Sequence, residues 1–176
     1  MQKDLKILTL REKSFLLARL LLKVMTKYLV IFFIFLNNFS NAESYVKAGD
    51  SLIWDSKNQS YTANGSVEFQ NDKFIAYADE MIAQYIEKNN KEIFTIVELF
   101  ENVIIELNDE VFKGDYAIYT RDDNIIKLTG DVSIKSPSRL LTGHELIADI
   151  DNNKRTLNSE DKDSLVEVLL DNNADN

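Results

Sequence analysis

The fold is decided by the stretch Asn64-Gly65-Ser66-Val67-Glu68-Phe69, which recurs later in the chain as Thr129-Gly130-Asp131-Val132-Ser133-Ile134. Each copy places a glycine before a short alternation of apolar and polar residues. Alternation at every second residue is typical of a β-strand with one buried face, and glycine adopts a positive φ angle at low cost. A third copy, Glu101-Asn102-Val103-Ile104-Ile105, lacks the glycine. Recurring units of this size predict strand pairs stacked in a regular array.

Strand signals continue on both sides of these copies, from Leu52 to Leu157. The segments between turns are short and rich in β-branched and aromatic residues, and Pro137, the only proline, lies between two serines in a turn. Residues 78–98 also fit helical spacing, but Asn89-Asn90 interrupts them, which favours two strands. The sequence therefore predicts a single all-β domain over residues 43–157.

The N-terminal region has the features of a secretory signal peptide. Basic Lys27 is followed by an apolar run of nine residues, Tyr28–Leu36, and then by small residues at Ser40 and Ala42. This run is shorter than the roughly 20 residues that span a bilayer as a helix. We therefore predict that residues 1–42 are removed by cleavage after Ala42 and that the mature chain is periplasmic.

The leucine-rich stretch before Met25 has two interpretations. Residues 1–24 are an over-extended start, with Met25 the true initiator, or they form an amphipathic helix on a membrane surface. Both interpretations remain open from the sequence.

Charge and cysteine content exclude several classes of function. Residues 1–42 carry seven Lys or Arg and two Asp or Glu, which leaves 13 basic and 27 acidic residues and a net charge of about −14 on the rest. Nucleic-acid binding depends on basic contacts to phosphate, so this balance argues against it. The chain has no cysteine, which excludes disulfides and thiolate zinc sites.

Residues 158–176 are predicted to be an acidic, disordered tail, because charged and amide side chains dominate them. The apolar piece Val166–Leu170 interrupts this composition. Its alternative interpretation is a last strand or a docking segment.

Five landmarks together carry a resemblance to a known family. They occur in a fixed order along the chain: Gly65-Ser66-Val67, Ala78-Asp79-Glu80, Gly114-Asp115, Leu128-Thr129-Gly130-Asp131-Val132 and Leu141-Thr142-Gly143-His144. This arrangement resembles the OstA-like family of lipopolysaccharide transport proteins, in particular its periplasmic bridging members, over Val46–Leu157. Glu101 stands where the family has glycine, and His144 where it often has aspartate.

The resemblance implies an open β-jelly roll of antiparallel strands in two facing sheets. It also implies that acyl chains of lipopolysaccharide bind in an apolar groove and that the protein bridges the inner and outer membranes. The implied partners are an inner-membrane LptC-like component, an outer-membrane LptD-like component and further copies in a head-to-tail homo-oligomer. No cofactor is implied.

Alternation within the strands predicts which side chains face the interior. The resemblance assigns acyl-chain binding to these positions, whereas the alternative is a simple packed core. The predicted groove residues are Val67, Phe69, Ile75, Tyr77, Met81, Ala83, Val103, Ile105, Ala117, Tyr119, Val132 and Ile134. Sequence order predicts exposed strand edges at Tyr45–Trp54 and Leu146–Leu157.

Catalysis and metal binding are not predicted. His144 is the only histidine, and carboxylate pairs such as Asp79-Glu80 and Asp122-Asp123 are typical of solvated turns and strand ends. Two alternative functions remain. One is an inner-membrane anchored LptC-type component that retains its apolar segment, and the other is a carbohydrate-binding β-solenoid protein.

Overall fold

A computed structural model describes residues 44–161 and 164–171, and the regular structure of these residues is entirely β. The predicted signal peptide and its cleavage site after Ala42 lie outside the described residues. In the described part of the chain, no helix is long and apolar enough to cross a bilayer. The strands are β1 (Tyr45–Lys47), β2 (Ser51–Asp55), β3 (Ser60–Gln70), β4 (Ile75–Lys88), β5 (Lys91–Leu107), β6 (Glu110–Thr120), β7 (Ile125–Ser136), β8 (Arg139–Asp149), β9 (Lys154–Asn158) and β10 (Glu167–Leu170).

These strands form one antiparallel sheet. Strands β3 to β8 pair in sequence order through successive hairpins, β1 and β2 both pair with β3, and β9 and β10 both pair with β8. Residues 78–98 form parts of β4 and β5, so the strand interpretation of that segment is confirmed. Consecutive antiparallel hairpins differ from the parallel coils of a β-helix, so the β-solenoid alternative is wrong.

Each of the five central strand pairs has a register shift at the same level. On the odd-numbered strands, the shift coincides with two successive residues of positive φ: Gly65-Ser66 on β3, Glu101-Asn102 on β5 and Gly130-Asp131 on β7. The recurring sequence motif is therefore a line of β-bulges across the sheet, and bulges bend and twist the strands that carry them.

The bend folds the sheet back on itself. Phe69 is paired with Ala76 near one end of β4, and Phe94 is paired with Tyr85 near the other end of that strand. These two positions on β4 are nine residues apart, a separation that would span about 30 Å along a flat strand. Nevertheless, the Phe69 and Phe94 ring centroids are 5.8 Å apart. The single sheet thus forms two facing layers, where the resemblance implied two sheets.

We call the two halves of the folded sheet layer A and layer B. They are joined along the line of bulges. We call the side opposite the bulges, where the hairpin turns of the two layers meet, the mouth. Layer A contains β2, residues 60–64, 80–88, 91–100, 116–120, 125–129 and 145–149, and β9. Layer B contains β1, residues 67–70, 75–78, 103–107, 110–114, 132–136 and 139–143, and β10.

The core lies between the layers. Its largest fully buried side chains include Phe69, Phe112, Met81 and Leu99, and none of the described polar or charged residues is fully buried. The predicted tail contributes one strand, since β10 pairs with Arg139–Thr142 on β8. Within the apolar segment Val166–Leu170, the structure agrees with the alternative interpretation as a last strand.

Candidate functional site

Two unbroken rows of apolar side chains cross the inner faces of the layers. In each row, the residues are register partners on successive strands, so they point to the same face. The row in layer A is Leu52, Ala63, Met81, Leu99, Ala117, Leu128, Leu146 and Leu157. The row in layer B is Val46, Phe69, Ala76, Ile105, Phe112, Ile134, Leu141 and Val168. The interior is therefore apolar from one end of the sheet to the other.

Ten of the twelve predicted groove residues are buried between the layers. They are Val67, Phe69, Met81, Ala83, Val103, Ile105, Ala117, Tyr119, Val132 and Ile134. The alternation of apolar residues was sufficient to place them, because each lies two positions from another on the same stretch of strand.

The inward placement of Ile75 and Tyr77 is wrong. Ala76 and Ala78 are the buried residues of this segment, at 0% and 5% exposure, while Ile75 and Tyr77 are only half-buried and point to the outer face. Counting back by twos from Met81 gave the opposite result, because the bulge between Tyr77 and Glu80 changes which residues face inward.

Several interior residues were not among the predicted set. They include Phe74, Val97, Leu99, Leu107, Phe112, Ile126, Leu128 and Leu146, all buried. Some of these residues are two positions apart on one strand, as are Val97 and Leu99, or Ile126 and Leu128. The same alternation therefore identifies them as inward-facing once the strand bounds are known.

Aromatic contacts close the mouth of the interior. Phe69 of layer B packs edge-on against Phe94 of layer A, and Phe74 packs edge-on against Tyr119 with ring centroids 5.0 Å apart. The core side chains have almost no exposed surface, so these contacts cover the interior along the mouth.

Ion pairs also join the layers at the mouth. Lys73, in the β3–β4 turn, lies 2.9 Å from the carboxylate of Asp151 in the β8–β9 turn. Hydrogen bonds from Lys73 and Asn124 hold the pKa of Asp151 below its usual value. Further along the mouth, Arg155 of β9 donates from Nε to the Glu110 carboxylate at the start of β6, at 2.9 Å.

The two ends of the folded sheet have exposed edges. At one end, β2 exposes Leu52, Ile53 and Trp54 to between 50% and 59%, so the edge expected at Tyr45–Trp54 is present. At the other end, the edge strands are β9 and β10. The last three residues of β10, Val168–Leu170, are all at least 58% exposed. Leu146, expected at this edge, instead pairs with both β7 and β9.

The described residues hold no group of three or more His, Asp or Glu side chains that could bind a metal. The His144 side chain is 41% exposed, and its Nδ1 lies 4.0 Å from the Glu160 carboxylate.

Comparison with known proteins agrees with this geometry. The family described as LptA/(LptD N-terminal domain) LPS transport protein matches residues 45–154. One similar solved structure is LptH of Pseudomonas aeruginosa, described as the LptA-homologous periplasmic component of its lipopolysaccharide transport device. It superimposes with a TM-score of 0.61 at 14% identity, covering 73% of this chain and 94% of that chain. No curated protein sequence matches this chain.

Proposed function

Because the chain belongs to the LptA/LptD N-terminal domain family of lipopolysaccharide transport proteins, we propose that it binds the acyl chains of lipopolysaccharide between its two layers. The family is one of transport proteins, in agreement with the prediction that the chain is not an enzyme. The proposed site is the inner face of the two layers. It contains ten of the twelve predicted groove residues, and Ala76 and Ala78 take the places of Ile75 and Tyr77.

The observation that carries this proposal is the continuity of the two apolar rows. Leu52 begins the row of layer A and Val168 ends the row of layer B, and these residues are 50% and 58% exposed. The apolar surface thus reaches solvent at both ends of the sheet. Each acyl methylene removed from water contributes about 0.8 kcal/mol, so several chains offset the free energy needed to separate the layers.

Small inner residues give the acyl chains room once the mouth opens. Ala83, Ala117 and Ala148 are all buried on the inner face of layer A, and Ala76 and Ala78 are buried on that of layer B. An alanine leaves more space for a ligand than a leucine or phenylalanine at the same position. We infer that acyl chains run past these alanines.

We also propose that the protein bridges the membranes in the periplasm, after cleavage near Ala42. The edges at β1 and β2 and at β9 and β10 leave main-chain groups available for a partner strand, and adding a strand extends a sheet through backbone hydrogen bonds. The proposed partners are an LptC-like protein, an LptD-like protein and further copies joined head to tail.

Site-specific photo-crosslinking to lipopolysaccharide in cells tests the binding site. A crosslinker at Phe69, Val103 or Ala78 is expected to give lipid adducts, whereas the same group at Tyr77 is not. Tyr77 and Ala78 are neighbours that point to opposite faces, so they form a matched pair. Absence of adducts from all three inner positions, or equal yields from Tyr77 and Ala78, would refute acyl-chain binding between the layers.

The anchored LptC-type alternative differs at the N-terminus. Sequencing the mature protein distinguishes the two forms: a chain that starts at Glu43 is the released form, whereas a membrane-bound chain that retains Tyr28–Leu36 is the anchored one.

A further inference from the structure

Three charged side chains meet on the inner face at one end of the mouth. Glu110 of layer B accepts hydrogen bonds from Arg155 Nε of layer A at 2.9 Å and from Arg139 Nη2 of layer B at 3.1 Å. The Arg155 guanidinium also lies over the Phe112 ring, 5.3 Å from its centroid. We call these three charged residues the arginine cluster.

The register places the arginine cluster beside the apolar interior. Arg155 is the partner of buried Ala148, and Glu110 is the partner of buried Leu107, so both side chains point inward. Arg139 lies two residues from inward-facing Leu141 on β8. On the described strands, other basic residues such as Lys113 and Lys127 alternate with buried neighbours and therefore lie on the outer face.

The cluster has one positive charge in excess, because two guanidinium groups share one carboxylate. The side chains of Arg155 and Glu110 are only 10% and 15% exposed, whereas that of Arg139 is 49% exposed. A guanidinium has five N–H donors, and the hydrogen bond from Arg139 uses only its Nη2 atom. Arg139 therefore has donors available for a second anion.

Opening of the mouth breaks the contact between Glu110 and Arg155, because these residues lie on opposite layers. Arg155 would then be left in a largely apolar setting without its anion, and separating a buried ion pair is costly. A ligand that carries an anionic group can pair with the Arg155 guanidinium in place of Glu110, which removes the cost of leaving this charge unpaired. Guanidinium groups match phosphate geometry through paired N–H donors.

We propose that the arginine cluster binds a phosphate monoester on the head group of the acylated glycolipid, with the phosphate replacing Glu110 between Arg139 and Arg155 when the layers part. This inference rests on the proposed acyl-chain binding. Glu110 is then an internal competitor that neutralises the arginines while the site is empty. The cluster also gives an acidic chain, of net charge −9, a local site for an anionic lipid.

The test compares two lipids with the same acyl chains, a phosphorylated acyl-disaccharide and its fully dephosphorylated form, by equilibrium binding to the full chain. The wild type is expected to prefer the phosphorylated lipid. In Arg139→Gln this preference should fall about three- to tenfold, the range for the net contribution of one typical hydrogen bond, because solvent at the half-exposed Arg139 weakens the contact. Affinity for the dephosphorylated lipid should not change.

Lys127→Gln is the matched control. Lys127 is 48% exposed and paired with Glu145, so this variant changes the net charge by the same amount but on the outer face. It should keep the wild-type preference. Glu110→Gln should increase the preference, because it removes the competing anion. Thermal melts of each variant establish that it is folded.

The outcomes separate the two proposals. If wild type and Arg139→Gln bind both lipids with the same preference, the phosphate site is refuted while acyl-chain binding stands. If wild type binds neither lipid, acyl-chain binding itself is refuted. Inorganic phosphate is added as a competitor, and if it abolishes the preference at millimolar concentration, the site recognises free phosphate and the lipid assignment is wrong.

Discussion

Glu101→Gly is expected to stabilise the protein, although glycine usually weakens a strand. Glu101 is exposed and has a φ of 61°, in the left-handed region, at the bulge of β5. The equivalent positions on β3 and β7 are Gly65 and Gly130, with φ of 75° and 81°. At the first position of the bulge, Glu101 is therefore the one of the three copies in which a side chain, rather than glycine, occupies the left-handed conformation.

The magnitude follows from two opposing terms. The left-handed conformation costs a residue with a Cβ roughly 1–2 kcal/mol. Glycine loses about 0.5–1 kcal/mol through the greater freedom of its unfolded chain. The net expected gain is about 0.5–1 kcal/mol, equivalent to roughly 2–4 °C in Tm for a domain of this size. The neighbouring hydrogen bond from Asn102 Nδ2 to Asp79 is on a different residue and is retained.

Urea unfolding followed by far-UV circular dichroism measures this change, with Glu106→Gly as the control. Glu106 is also an exposed glutamate on β5, but its φ is not positive. Its replacement should therefore destabilise the fold by about 0.5–1 kcal/mol. Opposite signs for the two variants support the reasoning. If Glu101→Gly destabilises the protein as much as Glu106→Gly does, strain at the bulge is not the determinant.

Three further changes test other parts of the fold. Gly130→Ala should lower the free energy of unfolding, measured in urea, by about 1–2 kcal/mol, because φ is 81° and an added Cβ would overlap the Asp115 carboxylate. Asp115→Ala in the same background should recover part of this loss. If it recovers none, the overlap is not the cause. Phe112→Ala should cost about 3–5 kcal/mol by the same assay, since the ring is fully buried, and a loss near zero would contradict its core position. Burial and the hydrogen bond to Glu98 raise the pKa of Tyr116 from 10.0 to about 12. The protonated hydroxyl therefore contributes fully to the free energy of unfolding below pH 10, and this contribution is lost as the pH rises towards 12. Tyr116→Phe should therefore reduce the fall in the urea midpoint between pH 9 and pH 12, and an unchanged fall would exclude Tyr116 as its source.

Opening of the mouth links the fold to its proposed function. The two layers are one sheet, so they cannot separate at the bulges without breaking backbone pairing. Among the described residues, the layers are joined at the mouth by side-chain contacts, which include the Phe74–Tyr119 contact, the exposed Lys73–Asp151 ion pair and the largely buried Arg155–Glu110 pair. The exposed pair contributes little, typically below about 1 kcal/mol, whereas separating the buried pair costs more unless an anion of the lipid replaces Glu110. We therefore expect a bulky acylated lipid to part the layers at the mouth rather than at the bulges.

The sequence by itself determined the strands, the bulge motif and most of the interior. Alternation and turn residues are local properties, so Val67 and Phe69, or Val132 and Ile134, could be assigned to one face without knowledge of any partner strand. The positive φ of Gly65 and Gly130 likewise follows from what glycine alone adopts easily.

Only the tertiary structure decided how the strands combine. The bulge before Glu80 reversed the faces of Ile75 and Tyr77, because the facing of a residue depends on the register with its neighbour strand. The fold-over that joins Phe69 to Phe94, and the meeting of Glu110 with Arg155, bring together residues distant in sequence. Such contacts arise from the summed bend of a line of bulges across the whole sheet, which no single segment of the sequence specifies.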